Sequence, residues 1–420
     1  MAGSRLAERL TEGRRPLAAI CVFVVCLGLW NAVRYPTGLG FDAPSHMAYA
    51  DGLVPGWHLP HPSATEATEY YTPPGFYFVA GIVDWLLKQT GYGAPDRAGQ
   101  VLNVAFLLGT VLLVAAVARG LWPGRRRIEL GAAAFVAFLP VVVETSAMFH
   151  PEPMSLFLST LALWLCVRTF ANPRYAWALG VTLGAAQLVR AWALATVAAA
   201  VLALLASRRW RELAIVCALA IAIPAPWYIH QRTTYGGQPQ FPQPAQGTRL
   251  PAAFWYGLGI PTVVTRPYRE NHYTRWIPVT YDGLWGDYFG VWVWHSNAVT
   301  VTKPSMHAVR WLRLQSLLGL VPTALAVAGW VLFARSSLRR RAALAVALLP
   351  LLGLAAYLYF SGRYWTPDGD LLKSTYMLTT AAGWAIGFGF ALDRLRGRWF
   401  TGTAVLLGLF ALAELPFLFY

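Results

Sequence analysis

Residues 99–127 read GQVLNVAFLLGTVLLVAAVARGLWPGRRR. No charge interrupts the run before Arg119, and then Arg119, Arg125, Arg126 and Arg127 crowd its end. A helix rises about 1.5 Å per residue, so some 20 apolar residues cross a bilayer core of about 30 Å. An arginine cluster at the end of such a run marks the cytoplasmic side of a membrane span. This pattern of apolar run and arginine stop recurs along the chain and sets the fold class.

Spans are expected near 16–34, 99–119, 129–147, 153–171, 174–189, 191–206, 211–229, 310–334, 341–361, 372–392 and 399–418. The two flanking Arg190 are short, which suits a tilted or broken helix. Composition agrees. Of 420 residues, 57% are hydrophobic and only 13% are charged, about half the charge of a soluble domain. Disordered chains are charge-rich and apolar-poor, the reverse of this one. Cys21, Cys26, Cys166 and Cys217 all lie in apolar runs, where a thiol is a small hydrophobe and not a disulfide framework. The start of the chain has Arg5, Arg9, Arg14 and Arg15 before its first apolar run, as a signal peptide would. The lack of a small-residue cleavage site favours a retained first helix. The expectation is therefore one polytopic all-α membrane domain of about eleven transmembrane helices.

The net charge of +15 supports that topology. Basic proteins often bind nucleic acid, but here the cations follow the spans. The segments 1–15, 119–129, 168–174, 207–212, 335–341 and 393–398 hold 20 of the 34 lysines and arginines and 5 of the 19 acids. Their surplus accounts for the whole net charge, and the remaining 14 bases balance the remaining 14 acids. These segments face the cytoplasm, with the N-terminus inside and the C-terminus outside. No nucleic-acid partner is expected.

Residues 73–88, PPGFYFVAGIVDWLLK, are the ambiguous stretch. Were they to cross, the next helix would run outward and carry the Arg119–Arg127 cluster to the wrong side. They also hold Asp84 in mid-run, where an acid costs about 2.5–3.5 kcal/mol at a helix centre. An interfacial amphipathic helix within a long outer loop, 35–98, resolves the conflict. A second long outer loop, 230–309, is rich in Trp, Tyr, Pro and Gly. Ordered loops of such length are usually functional.

Polar residues kept at membrane depth or at its edge are functional candidates. All four constellations found here fall on the outer side. In GFDAPSH (40–46), Asp42 and His46 are four apart and share a helix face. Asp42 is either a proton acceptor or a plain helix cap. In EYYTPPGFY (69–77), the double proline fixes an extended approach to the interfacial helix, and Tyr77 and Phe78 read as an interface belt. In FHPEPM (149–154), Glu152 caps a helix, serves as a second acid or, with His150, binds a divalent metal. Finally, Arg190 and Lys373 run against the positive-inside bias at outer helix ends, with Arg363 near the second. They suit an anionic partner, and a lipid phosphate is the natural one. Snorkelling, or pairing with Asp368 or Asp370, is the plainer explanation.

No P-loop, Gly-rich nucleotide turn, HExxH or nucleophile elbow occurs. The inner segments are too small for a nucleotide-binding domain. An enzyme of this layout draws its activated substrate from the membrane.

In these elements the chain resembles the GT-C superfamily of membrane glycosyltransferases, in the branch of aminoarabinose transferases and protein O-mannosyltransferases. The resemblance rests on Asp42 and His46, on Pro73-Pro74-x-Phe76-Tyr77, on Glu152 opening a span, on Arg190, and on Lys373-x-x-Tyr376. There are departures. Relatives often carry Asp at the place of Glu152, and an acid–base pair where this chain has Tyr71 and Thr72. The soluble C-terminal domain of some branches has no counterpart in this sequence.

The resemblance implies a polyprenyl-phosphate sugar donor, inversion at the transferred sugar, and a glycan, lipid or protein acceptor. It implies no certain cofactor, with a divalent metal open. Asp42 is then the base, with His46 and Glu152 beside it, and Arg190, Lys373 and Arg363 bind the donor phosphate. Tyr71, Trp285, Asp287, Tyr288 and Tyr376 are assigned to sugar or acceptor, with Asp287 in reserve as a second acid. Two other classes compete: a polymerase or ligase using lipid-diphosphate glycans, and a lipid or solute transporter. A transporter needs polar groups along a path through the bilayer, whereas here they gather on one side. The Ala- and Arg-rich usage suggests a bacterial cytoplasmic membrane.

Overall fold

The computed structural model describes residues 15–54, 56–60, 69–91, 97–236, 260–269, 275–294, 304–338, 340–363 and 372–420. Among these the regular structure is entirely helical. The expected all-α architecture holds.

In chain order the helices are α1 (Arg15–Arg34), α2 (Ala43–Leu53), α3 (Gly75–Gln89), α4 (Ala98–Leu121), α5 (Arg126–Ala137), α6 (Pro140–Ala147), α7 (Glu152–Ala171) and α8 (Tyr175–Gln187). A short 3-10 turn, Ala191–Ala193, leads into α9 (Leu194–Ala206), α10 (Trp210–Ala222), α11 (Ala225–Thr234), α12 (Ile260–Thr265) and α13 (Trp276–Trp285). Then come α14 (Met306–Leu318), α15 (Leu320–Ser337) and α16 (Leu344–Arg363). A 3-10 segment, Ser374–Thr380, opens α17 (Ala381–Arg394), and α18 (Gly397–Leu418) follows.

Among the described residues seven helices or helix runs are long and apolar enough to cross a membrane, eight if the bent pair α5–α6 counts as one span. The pair lies where a span over 129–147 is expected, and it bends by 51°. The cause is Pro140, which starts α6 and forces Leu139 into extended backbone. The segment 230–309 is likewise not loop throughout, since it contains α12 and α13 and the end of α11.

The core is built from α4, α5, α7, α8, α9 and α17, rich in Ala and Gly so that backbones approach closely. Gly329 and Gly387 show the need: a Cβ on Gly329 would fall 1.9 Å from the Gly387 carbonyl oxygen. The outward faces stay apolar. Val22 of α1 is 62% exposed and Leu412 of α18 is 63% exposed, as lipid-facing surface should be.

The arginine clusters gather at one end of the bundle and staple its turns. Arg119 and Arg126 both hold Glu129, at 2.5 and 2.9 Å. Arg125 reaches Asp393 at 3.2 Å, Arg340 donates to the Leu121 carbonyl at 2.8 Å, and Arg209 donates to those of Thr169 and Phe170, each at 2.9 Å.

α3 falls where the interfacial helix is expected. Fifteen residues give about 22 Å, short of a bilayer core. Its buried face, Phe76, Tyr77, Ala80, Gly81 and Asp84, packs on α2 and α4, while Phe78, Trp85 and Leu86 point outward. Asp84 is neutralised by Lys88 at 2.6 Å.

Candidate functional site

The end of the bundle opposite the arginine clusters holds a cavity of about 270 Å³. Asp42, Glu69, Tyr71, His150, Arg190, Lys373 and Tyr376 all line it. Segments more than 300 residues apart therefore converge on one space.

Asp42 occupies the N-cap position of α2, yet its side chain caps nothing. Its backbone is left-handed, at φ 55°, a conformation that Asp tolerates better than most residues but that still costs energy. The carboxylate instead meets the Lys373 ammonium, Oδ2 to Nζ, at 2.5 Å. Lys373 also sits 5.5 Å from the centre of the Phe41 ring. Lys373 above all holds the Asp42 carboxyl down at about 2, with Arg190 adding to the effect against burial. The cap alternative is thus excluded, and Asp42 is an ionised group at the cavity.

Arg190 stands between α8 and the following 3-10 turn, in extended backbone. It is buried between two acids. Its Nε lies 3.0 Å from Glu152 and its Nη1 3.9 Å from Glu69. Glu152 is fully buried at the first turn of α7, and its contact with Arg190 is an ion pair without an aligned hydrogen bond. Glu69 carries a second tie, accepting from the Tyr71 hydroxyl at 3.3 Å. Burial raises the Glu69 carboxyl, and Arg190 opposes the rise.

The double proline earns its position through the residue after it. Gly75 N–H donates to the Leu188 carbonyl at 2.7 Å, and a Cβ at Gly75 would stand 2.7 Å from that same oxygen. Only glycine allows this approach, which docks the Pro73-Pro74 corner two residues from Arg190.

Behind Asp42 lies a buried polar chain. The Thr72 hydroxyl donates to the Glu69 carbonyl at 2.8 Å and lies 2.9 Å from the Tyr77 hydroxyl, itself 2.9 Å from His46 Nδ1. Tyr77 is therefore fully buried and hydrogen-bonded, which corrects its reading as an interface-belt residue, while Phe78 is 40% exposed. His46 meets His150 edge to face at 5.0 Å. Burial lowers both imidazoles well below the usual histidine range, with nearby Arg190 and Lys373 adding to the effect, so both are neutral. Asn103 fixes the loop before α7 by donating to the carbonyls of Met148 and His150, each at 2.9 Å.

The apolar wall is aromatic. Tyr376 stacks on Trp192 at 5.0 Å and meets Phe360 edge-on at 5.3 Å. Trp192, Tyr228 and Phe360 line the cavity and were not singled out in the sequence. Glu69 stood in the quoted stretch before the double proline but was given no role. The signal in the sequence is an acid four residues before Pro73.

Three expected sugar or acceptor residues are elsewhere. Trp285 is buried in the core, donating to Thr323 at 2.8 Å and packing on Phe135 and Phe410. Asp287 closes a turn by accepting from the backbone N–H groups of Val291, Trp292 and Val293 at 2.6–2.8 Å. Tyr288 packs with Val279 and Leu372. Aromatic richness in a segment suits a membrane belt, a sugar platform or a core, and Trp285 and Tyr288 are core. The Arg363 side chain, Asp368 and Asp370 lie outside the described residues.

Nor do His150 and Glu152 form a metal pair. His150 Nδ1 faces the backbone N–H of Glu152 at 3.4 Å, and the Glu152 carboxylate faces a cation. Among the described residues no group of three or more His, Cys, Asp or Glu side chains is gathered as a metal-ligand set.

Residues 72–230 match the model of a family described as dolichyl-phosphate-mannose-protein mannosyltransferase. This segment carries Glu152 and Arg190 but neither Asp42 nor Lys373. No curated protein matches the chain in sequence. Among solved structures, ArnT from Cupriavidus metallidurans matches in its apo state with a TM-score of 0.56 and 14% identity, over 92% of this chain and 62% of that one. The same protein bound to undecaprenyl phosphate matches with a TM-score of 0.53 and 16% identity, over 93% and 61%. The Archaeoglobus fulgidus oligosaccharyltransferase in its apo form gives 0.55 and 14%, over 96% and 56%. The chain thus spans about three fifths of the length of the structures it matches. At these identities the likeness is one of fold, and the resemblance to the GT-C glycosyltransferases holds at that level.

Proposed function

We propose that the chain is an inverting glycosyltransferase of the GT-C type. It moves a sugar from a polyprenyl-phosphate donor to an acceptor hydroxyl on the outer face of a bacterial cytoplasmic membrane. In this reading it is one polytopic domain with eleven passes. The short helices α8, α9 and α17 complete the count beyond the candidate spans, and α3 lies in the outer interface.

The observation that carries the reading is the convergence of Asp42, Lys373 and Arg190 on one cavity of about 270 Å³. A hydroxyl is a poor nucleophile and needs a base within hydrogen-bond reach. Asp42 takes the acceptor proton as the acceptor oxygen attacks the anomeric carbon from the face opposite the phosphate. The bond from that carbon to the phosphate oxygen breaks, and its electron pair leaves with the polyprenyl phosphate. Positive charge develops on the sugar; the Asp42, Glu69 and Glu152 carboxylates supply a negative field. Negative charge develops on the leaving phosphate, where Arg190 and Lys373 act as fixed cations.

Lys373 links the two halves of the site. A carboxylate held at about 2 is a weak proton acceptor. A phosphate arriving at Lys373 competes for the same ammonium, so donor binding frees Asp42 to act. Tyr71 and Tyr376 border the sugar, with Trp192 and Phe360 toward the isoprenoid.

The family name above includes a dolichyl-phosphate sugar, and one ArnT structure holds undecaprenyl phosphate. Both support a monophosphate lipid donor here. An Archaeoglobus fulgidus oligosaccharyltransferase structure contains Zn. Every step above is assigned to the chain's own groups.

The test uses purified protein with a synthetic polyprenyl-monophosphate sugar and a mixed acceptor pool. Sugar transfer with an inverted anomeric configuration, read by NMR of the product, is expected. Transfer only from a diphosphate-linked glycan, or lipid movement without chemical conversion, would overturn the reading.

A further inference from the structure

The arginine-rich end of the bundle holds a second cavity, of about 650 Å³, where α1, α4 and the start of α5 meet. It has two unlike halves. Leu17, Ala18 and Cys21 of α1 and Leu112 of α4 make an apolar groove that continues onto lipid-exposed surface, with Val22 beside it 62% exposed. Arg119, Arg126 and the turn residue Gly124 close its far side over the buried carboxylate of Glu129.

The charge there is unbalanced. One acid serves two guanidiniums. Arg119 approaches Glu129 through Nε and Nη2, and Arg126 through Nη1. Among the described residues the other nitrogens of both groups meet no protein acceptor, and the side chains are 55% and 36% exposed. Their neighbours are committed elsewhere: Arg125 to Asp393, and Arg127 to the Leu395 carbonyl and the face of Phe400. Glu129 fixes both forks from beneath and leaves their outer edges turned to the cavity. A pair of guanidinium edges matches phosphate oxygens.

We infer that this cavity binds an anionic phospholipid, with the headgroup phosphate on Arg119 and Arg126 and an acyl chain along Leu17, Cys21 and Leu112. The apolar half selects a lipid over a free phosphate ion, which has no use for it. The surplus of cation selects an anionic over a zwitterionic headgroup. Basic pockets between membrane helices on the arginine-rich side are known to hold such headgroups. The site lies at the opposite end of the bundle from the cavity of Asp42 and does not depend on the transferase reading.

The test is a thermal-unfolding and native mass spectrometry titration of the full chain in detergent. The ligands are phosphatidylglycerol, phosphatidylcholine and inorganic phosphate. Phosphatidylglycerol is expected to stabilise saturably and to remain bound, whereas the other two do neither. Arg126→Gln should weaken that affinity about five-fold, the effect of one basic residue at an anionic surface. Arg398→Gln, at the same end but stacked on Trp399, should change it less than two-fold. Should Arg126→Gln fail to fold, Leu112→Trp fills the groove without altering charge and should also displace the lipid. Equal binding of phosphatidylcholine, equal stabilisation by inorganic phosphate, or equal losses in Arg126→Gln and Arg398→Gln would overturn the inference.

Discussion

The two ends of α7 use arginine in opposite ways. At one end Arg168 is exposed and rests on the rings of Trp164 and Tyr175, 5.9 and 5.1 Å from their centres. About 24 Å away, at the other end, Glu152 is fully buried against Arg190, itself only 9% exposed. Arg168 lies against aromatic rings, whereas Arg190 is held by acids at a cavity. Acid partners and a neighbouring cavity, not residue type, separate a topological cation from one placed to meet a ligand.

The comparison can be broken first at its strongest point. Asp42→Asn keeps the size of the side chain and removes the base. Transfer should fall by about 10²–10⁴-fold, measured as kcat on purified protein, while donor binding stays near wild type. Next in size is Arg190→Gln. Donor use should weaken by about 2–5 kcal/mol if the phosphate pair is desolvated, read as kcat/KM for the donor. Part of that loss comes from leaving Glu152 and Glu69 without their cation.

A smaller effect sharpens the role of Lys373. In the wild type Asp42 sits at about 2, chiefly because of Lys373, so it is ionised across the working range. A carboxyl lowered in the folded state contributes stability above its unfolded value, and loses it as pH falls through about 2. Lys373→Met should return Asp42 toward the ordinary range near 3.9. The residual kcat/KM of that variant should then decline as pH falls through about 4, a limb absent from the wild-type kcat/KM profile, which reports the free enzyme. At the arginine-rich end, Arg125→Gln breaks a pair in which the arginine is exposed and Asp393 is buried. It should cost at most about 1 kcal/mol, seen in thermal unfolding, and leave transfer unchanged.

Much of the fold was legible in the sequence because arginine placement and apolar length act locally. The bend at Pro140 escaped because residues 129–147 are apolar on both sides of the break. The site was legible where a polar residue had no ordinary reason to be there: Asp42, Glu152, Arg190 and Lys373. It was less so where chemistry hides in contacts. Tyr77 looks like any interface aromatic until His46 lies 2.9 Å from its hydroxyl. Trp285, Asp287 and Tyr288 failed in the opposite direction, since aromatic richness alone does not say which side of a loop faces inward.

The most direct measurement is mass spectrometry of lipid retained by protein purified from native membranes, comparing wild type, Asp42→Asn and Arg190→Gln. An isoprenoid monophosphate held by the first two and lost from the third is the result this account predicts. Its retention by Arg190→Gln at the wild-type level, or its absence from all three, would contradict a phosphate site at Arg190.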